Sequence, residues 1–184
     1  MSDYIRSKIS GGIYFFTVVT FERMPIFNNP IARKILRNAF QKIQQKYPFK
    51  IIAICLMPEH LHCIWQLPQN DYDYPTRWKG IKGLFTKHYL LNNGKQGYRS
   101  ENRIKKREAA VWQHRYWEHT ITDKDDLINH IDYIHFNPVK HGYTNQPGEW
   151  QWTSFHKYVR MGYYEDFWGK EEPVNIVKMN TIVE

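Results

Sequence analysis

Met57-Pro58-Glu59-His60-Leu61-His62-Cys63-Ile64-Trp65-Gln66-Leu67-Pro68 ends one apolar run, turns at Pro58-Glu59 and begins a second run that carries two histidines. Read as a strand, His60 to Leu67 sends His60 and His62 to one face and Leu61 and Cys63 to the other, because strand side chains alternate with a period of two. On a helix the two imidazoles would lie about 200° apart and could not share an ion. On a rigid strand they make half of a metal site. The competing reading is a pair of histidines on a solvated strand face, and the choice depends on what else the chain brings to them.

Composition narrows the partners. The chain has 184 residues, which is long enough for one domain with a substantial core, and residues 1–184 are expected to form that one domain. Aromatics make up 16% of it and the net charge is +8, a combination suited to a polyanion whose bases can stack, and to single strands above all. A basic protein with no such partner has the same totals. No apolar run approaches a membrane span and the first residues do not read as a signal peptide. Cys55 and Cys63 form neither a Cys-x-x-Cys pair nor a disulfide framework, which fits a reducing cytoplasm and two free core thiols.

Working outward, Gly11-Gly12 opens Ile13 to Phe21, a β-branched and aromatic run that reads as a buried strand. Asn28-Asn29-Pro30 offers a cap and a first-turn proline to a helix whose stripe is Ile31, Ile35, Leu36, Ala39, Phe40 and Ile43, running out near Tyr47-Pro48. Strands at Lys50–Met57 and His60–Leu67 follow, then a polar loop to Pro75. A second helix is expected from Thr76 to about Leu91, with Trp78, Ile81, Phe85 and Tyr89 inward. Asn92 to Arg107, rich in Asn, Gly and basic residues, reads as a flexible loop, and Val111 to Ile121 as a fourth strand. Strand-helix-strand-strand-helix-strand is the order of an α+β, ferredoxin-like split βαββαβ sandwich: a four-stranded antiparallel sheet, helices over one face, and the other face free to carry His60 and His62.

A further helix then starts at Thr122-Asp-Lys-Asp125, which resembles a capping box. Leu127, Ile131 and Ile134 form its apolar stripe. Tyr133 sits more than about 100° round from that stripe, and Asn137 lies four residues on, on the same face as Tyr133. Pro138 is expected to end the helix and to restrict the backbone of Asn137. A lone Tyr on a helix is most simply a packing residue, and Asn before Pro a helix terminator.

Taken together, these residues resemble a known family. Gly11-Gly12-Ile-Tyr-Phe-Phe-Thr-Val18, Met57 to Trp65, Tyr116-Trp117-Glu118-His119, Asp132-Tyr133-Ile-His-Phe-Asn137-Pro-Val-Lys-His-Gly142 and Trp150-Gln-Trp-Thr-Ser-Phe155 resemble, in order, the motifs of single-tyrosine transposases with a His-hydrophobic-His motif. The REP-associated tyrosine transposases of bacteria are the nearest group. The likeness covers roughly residues 4 to 165, and Asn92 to Glu108 looks like an insertion. The resemblance implies that His60, His62 and Asn137 hold a divalent metal, Mg²⁺ or Mn²⁺, and that Tyr133 is the nucleophile. It also implies a covalent 5′-phosphotyrosine intermediate, formed on single-stranded DNA folded into palindromic hairpins. Insertion-sequence relatives carry Gln where Asn137 stands.

On that reading the expected phosphate contacts are Arg77, Lys79, Lys82, Lys87, Arg115 and Lys140. The protein is expected to work in the cytoplasm at a bacterial nucleoid, as a monomer rather than a dimer, with no small-molecule cofactor. The tail 171–184 has little pattern and is expected to be flexible. The alternative is a domesticated hairpin-DNA-binding protein with vestigial cleavage. A relaxase would bring a third histidine and more domains, and a structural zinc protein would bring a closed four-ligand set, which this chain lacks.

Overall fold

The computed structural model describes residues 8–165 and 167–177. Strands β1 (Ile13–Val19), β2 (Lys50–Leu56), β3 (His60–Gln66) and β4 (Trp117–Thr120) form one antiparallel sheet in the order β2-β3-β1-β4. Helix α1 (Pro30–Lys46) links β1 to β2. Helix α2 (Tyr74–Leu91) and the short α3 (Glu101–Lys105) lie between β3 and β4. After β4 come α4 (Lys124–Lys140), α5 (Phe155–Arg160) and α6 (Val174–Val177). This is the split βαββαβ sheet with additional C-terminal helices.

Alternation along the two central strands divides the interior into two cores. Tyr14, Phe16 and Val18 of β1, with Leu61, Cys63 and Trp65 of β3, face α1 and α2. Trp65 stacks on Trp78 of α2 with ring centroids 4.3 Å apart. Capping explains where these helices begin: Asn29 accepts from the Ile31 N–H, and Asp73 from that of Thr76. The α1 stripe starts at buried Ala32, whereas Ile31 faces solvent.

The opposite face of the sheet is not free. Phe15, Ala53, Cys55 and Ile64 pack there against Ile131, Ile134 and Phe136 of α4 and against Phe155 of α5. Every residue from His130 to Pro138 is buried, so α4 lies between the sheet and the C-terminal segment. The face bearing Tyr133 and Asn137 is therefore turned to the sheet, not away from a docking stripe. Cys55 and Cys63 are both free and belong to opposite cores.

Four expectations change in detail. Pro138 sits inside α4, which runs to Lys140 and ends where Gly142 takes a positive φ of 69° and its N–H reaches the Val139 carbonyl. Near the end of a helix the missing proline N–H costs a single bond, and Asn137 stays helical. The cap of α4 is Asp123, which accepts from Asp126 N–H, one residue later than the expected box. Residues 111–121 are not one strand. Trp112 bridges Thr20 and Trp117 pairs with Thr17, so four residues, 113 to 116, stand opposite only Val18 and Val19 and bulge outward. Finally, 92–107 is no structureless loop: Arg103 of α3 is buried, donates to the Ala109 carbonyl and lies 4.5 Å over the Phe21 ring. Of the tail expected to be flexible, 174–177 form α6, and 178–184 lie outside the described residues.

Trp65 is fully buried between the sheet and both helices of the first core. Truncation leaves a large cavity, so Trp65→Ala is expected to lower unfolding free energy by about 3–5 kcal/mol. Urea unfolding followed by circular dichroism measures it, and a loss under about 1 kcal/mol would contradict this packing.

Candidate active site

Register places the two histidines. In the β1–β3 ladder Val19 faces His60, Thr17 faces His62 and Phe15 faces Ile64, all on the α4 side of the sheet. Each imidazole is held at its Nδ1 atom. His60 Nδ1 is 2.8 Å from Glu59 Oε1, and since a carboxylate only accepts, Nδ1 carries the proton and donates. His62 Nδ1 lies 2.9 Å from Thr17 Oγ1. The two Nε2 atoms are thereby turned toward each other, 3.1 Å apart.

Helix α4 supplies the facing half. Tyr133 is wholly buried, its ring edge-on to His62 at 5.3 Å and to Phe15 at 6.0 Å, with Lys140 Nζ 5.0 Å over it. Asn137 is also wholly buried; its amide acts on His62 as a hydrogen-bond partner that raises that group, while neither amide atom makes a well-aligned hydrogen bond among the described residues. The amide is thus turned toward the histidine pair. His141 closes the row, its ring 5.1 Å from that of His60. Thr17, Arg23, His60, His62, Arg115 and His141 help to line a cleft of about 260 Å³, and Tyr133 is not part of its lining.

The electrostatics follow from this crowding. Burial, then the charges of His60, His141 and Lys140, hold His62 well below the ordinary histidine range. Burial alone would raise the Glu59 carboxyl, but the hydrogen bond and charge of His60 outweigh it and hold the group below its usual value. Tyr143 also donates to Glu59, at 3.2 Å, and Arg23 Nη1 lies 3.7 Å from it.

The donor set suits a divalent ion. Two imidazole Nε2 atoms about one ligand–ligand distance apart, beside a buried amide, lack the closed four-ligand set of a structural zinc and suit Mn²⁺, which tolerates nitrogen, better than the oxygen-preferring Mg²⁺.

The six expected phosphate contacts separate. Arg115 stands on the bulge at the mouth of the cleft and Lys140 over Tyr133. Lys79 and Lys87 are exposed on α2. Lys82 donates to the Gln113 carbonyl at 2.7 Å, and burial pushes it down to about 8. Arg77 is buried. It forks onto Asp71 at 2.7 and 3.2 Å and donates to the Pro48 and Asp73 carbonyls, so it holds the fold and offers a phosphate nothing. Sequence reasoning missed Thr17, Arg23 and Glu59, and gave His141 no role. Only Glu59, a carboxylate beside a histidine at a tight turn, left a signal.

An antiparallel sheet with a His-x-His strand and a tyrosine helix docked on it defines a protein of the His-hydrophobic-His, tyrosine-bearing class. Residues 8–137 match the family described as Transposase IS200 like. A Haemophilus influenzae relative is 40% identical over 176 residues, 96% of this chain and 98% of its own. The REP-associated tyrosine transposase of Escherichia coli is 38% identical over 169 residues, 91% of each chain. A solved REP-associated tyrosine transposase bound to a REP hairpin superposes with a TM-score of 0.78 at 36% identity, covering 95% of this chain and 96% of that one. The chain belongs to the IS200-like transposase family, within its group of REP-associated tyrosine transposases.

The Arg77 fork gives a pH test. Its hydrogen bond is the largest of the influences that hold Asp71 below the ordinary value of 3.8. A depressed carboxylate stabilises the fold fully above its unfolded pKa, and that contribution is lost as pH falls through the folded value. Asp71→Asn should therefore be less stable than the parent at pH 7 and match it in strong acid. Urea midpoints across pH 2–7 check this, and a gap unchanged in acid would refute the ion pair.

Proposed function

We propose that this protein cleaves and rejoins single-stranded DNA at palindromic, REP-type hairpins, through a covalent 5′-phosphotyrosine on Tyr133 and with a divalent metal on His60, His62 and Asn137. The observation that carries the reading is the convergence of two Nε2 atoms, a buried amide beside His62 and a tyrosine ring at one helix–sheet contact. The hairpin in the solved relative supports the choice of substrate.

A tyrosine with a free pKa of about 10 is a weak nucleophile at pH 7. A bound Mg²⁺ or Mn²⁺ would supply Lewis-acid polarisation of the phosphate. The chain's own residues do the rest. Glu59 fixes the His60 tautomer, Thr17 holds the His62 ring at Nδ1, and Arg115 stands where a phosphate entering the cleft would meet it. In the cleavage step the Tyr133 oxygen bonds to phosphorus while the P–O3′ bond breaks. The proton lost by the phenol is matched by the one gained by the departing 3′ oxygen. Reversal rejoins the strand without an external energy source, because the ester bond energy is kept. The site of action is the bacterial nucleoid, with the chain working as a monomer.

A hairpin-binding protein with vestigial cleavage would share the fold and charge. Hairpin binding alone gives no role to the buried Asn137 amide beside the histidine pair.

Labelled single-stranded hairpin DNA with Mn²⁺ or Mg²⁺ is expected to give a covalent adduct on a denaturing gel. Tyr133→Phe and EDTA should each abolish it while hairpin binding by Tyr133→Phe persists, and duplex DNA of the same sequence should remain uncut. An adduct in Tyr133→Phe would sink the nucleophile, and EDTA-resistant cleavage would sink the metal.

Glu59 fixes the His60 tautomer from outside the ligand set, the kind of contact whose loss weakens a metal about 10–100-fold. Glu59→Ala is expected to weaken Mn²⁺ binding by that factor in calorimetric titration, and an unchanged affinity would count against this role.

A further inference from the structure

One turn before Tyr133, the same face of α4 carries His130, which belongs to a second group of donor atoms. His119 of β4, Asp126 in the first turn of α4 and His130 each offer a ligand atom, all within 4.8 Å of one another. His130 and Asn137 are seven residues apart, about 10 Å along the helix at 1.5 Å per residue, so the two groups are distinct. We propose that His119, Asp126 and His130 form a second cation site, selective for a borderline first-row ion of which Zn²⁺ is the type.

Its parts are gathered but not yet aimed. His119 Nε2 lies 2.9 Å from one Asp126 carboxylate oxygen and His130 Nδ1 2.8 Å from the other. Donors around a tetrahedral ion with bonds near 2.0 Å stand about 3.3 Å apart, close to these distances, but the two rings lie 13° from parallel, so one must turn to aim its lone pair at the ion. Each neutral ring would move its proton to the opposite nitrogen, and His130 Nδ1 would give up its 2.9 Å contact with the Asp126 backbone carbonyl. The carboxylate is fixed from behind: Thr122 N–H and Oγ1 donate to Oδ2 at 2.9 and 3.2 Å, as the outer partners of metal-bound carboxylates do. The His130 ring is clamped between Phe15 and His119, with centroids 4.8 and 4.6 Å away.

Access and charge agree with this. The His119 side chain is 32% exposed, which leaves an entry path, while that of His130 is 6% exposed. Asp123 and Asp125 lie beside the cluster at the start of α4 and offset a second positive charge. Two imidazoles and one carboxylate with open positions suit zinc or cobalt, whereas Mg²⁺ prefers oxygen ligands. Without an ion the three groups are a hydrogen-bonded clasp between β4 and α4. With one, coordinate bonds tie the strand to the helix that carries Tyr133.

The test uses the full chain bearing His60→Ala and His62→Ala, which removes the other histidine pair, in equilibrium dialysis against Zn²⁺ with excess Mg²⁺. About one Zn²⁺ per chain should remain bound, and adding Asp126→Asn or His119→Gln should weaken it by about 10–100-fold. Zn²⁺ should also raise Tm only while the cluster is intact. Circular dichroism shows whether each variant is folded, and His119→Gln, at a half-buried position, is the mildest of them. No bound zinc in the double variant would mean a clasp only. Zinc retained unchanged in both cluster variants would place it elsewhere. Either result overturns the site, and neither involves DNA cleavage.

Discussion

Two imidazole nitrogens held 3.1 Å apart inside a protein are the constraint around which the rest is arranged. At that distance one Nε2–H donates to the other nitrogen, or a cation lies between them. Glu59 and Thr17 hold the outer nitrogens, and the β1–β3 register fixes the backbone behind, so the two Nε2 atoms stay paired at the edge of the cleft. Helix α4 is the element that closes over them.

Helix α4 is unusual in being buried around most of its circumference, with polar groups on both sides. Toward the sheet stand His130, Tyr133 and Asn137. Away from it, His135 reaches Ser154 at 2.7 Å and Tyr164 at 3.1 Å, while Asp132 accepts from Tyr164 at 2.6 Å and Asn175 at 2.8 Å. Burial raises the Asp132 carboxyl and pushes His135 down to about 3, which keeps the latter neutral in its slot. Buried polar groups of this kind specify position more than they add stability, since each is satisfied by one geometry alone. The segment after α4 thereby reads the position of the helix and holds it against the sheet.

Much of this could be read from residue order. The β-branched and aromatic run from Ile13 marked the first strand, the period of two from His60 marked β3 and the shared face of His60 and His62, and the Asn29-Pro30 pair marked the start of α1. The i, i+4 relation of Tyr133 and Asn137 survived because a proline near the C-terminus removes one bond without unwinding the turn. What was illegible depends on contacts distant in sequence. Thr17 meets His62 across a ladder spanning 45 residues, and nothing local marks it. Arg77 and Arg103 look like surface cations in a basic stretch, but carbonyls and Asp71 bury them. The stripe of Leu127, Ile131 and Ile134 implied one docking face, because periodicity cannot foresee a helix covered from two sides.

The two halves of the site are held by different forces, and the difference bears on how a strand could reach Tyr133. The sheet half rests on ladder bonds and on the aromatic core around Trp65, where removing one side chain costs several kcal/mol. The helix half is held on its outer side largely by side-chain hydrogen bonds, each worth about 1 kcal/mol net because water can replace the partner. Tyr133 is wholly buried and absent from the cleft lining, so any phosphodiester that meets it must displace something. On its sheet side α4 is also held by apolar packing, where Ile131, Ile134 and Phe136 meet Phe15, Ala53, Cys55 and Ile64. In the proposed reaction, a strand that reaches Tyr133 would displace the outer polar contacts first, while the ladder keeps the histidine pair in place.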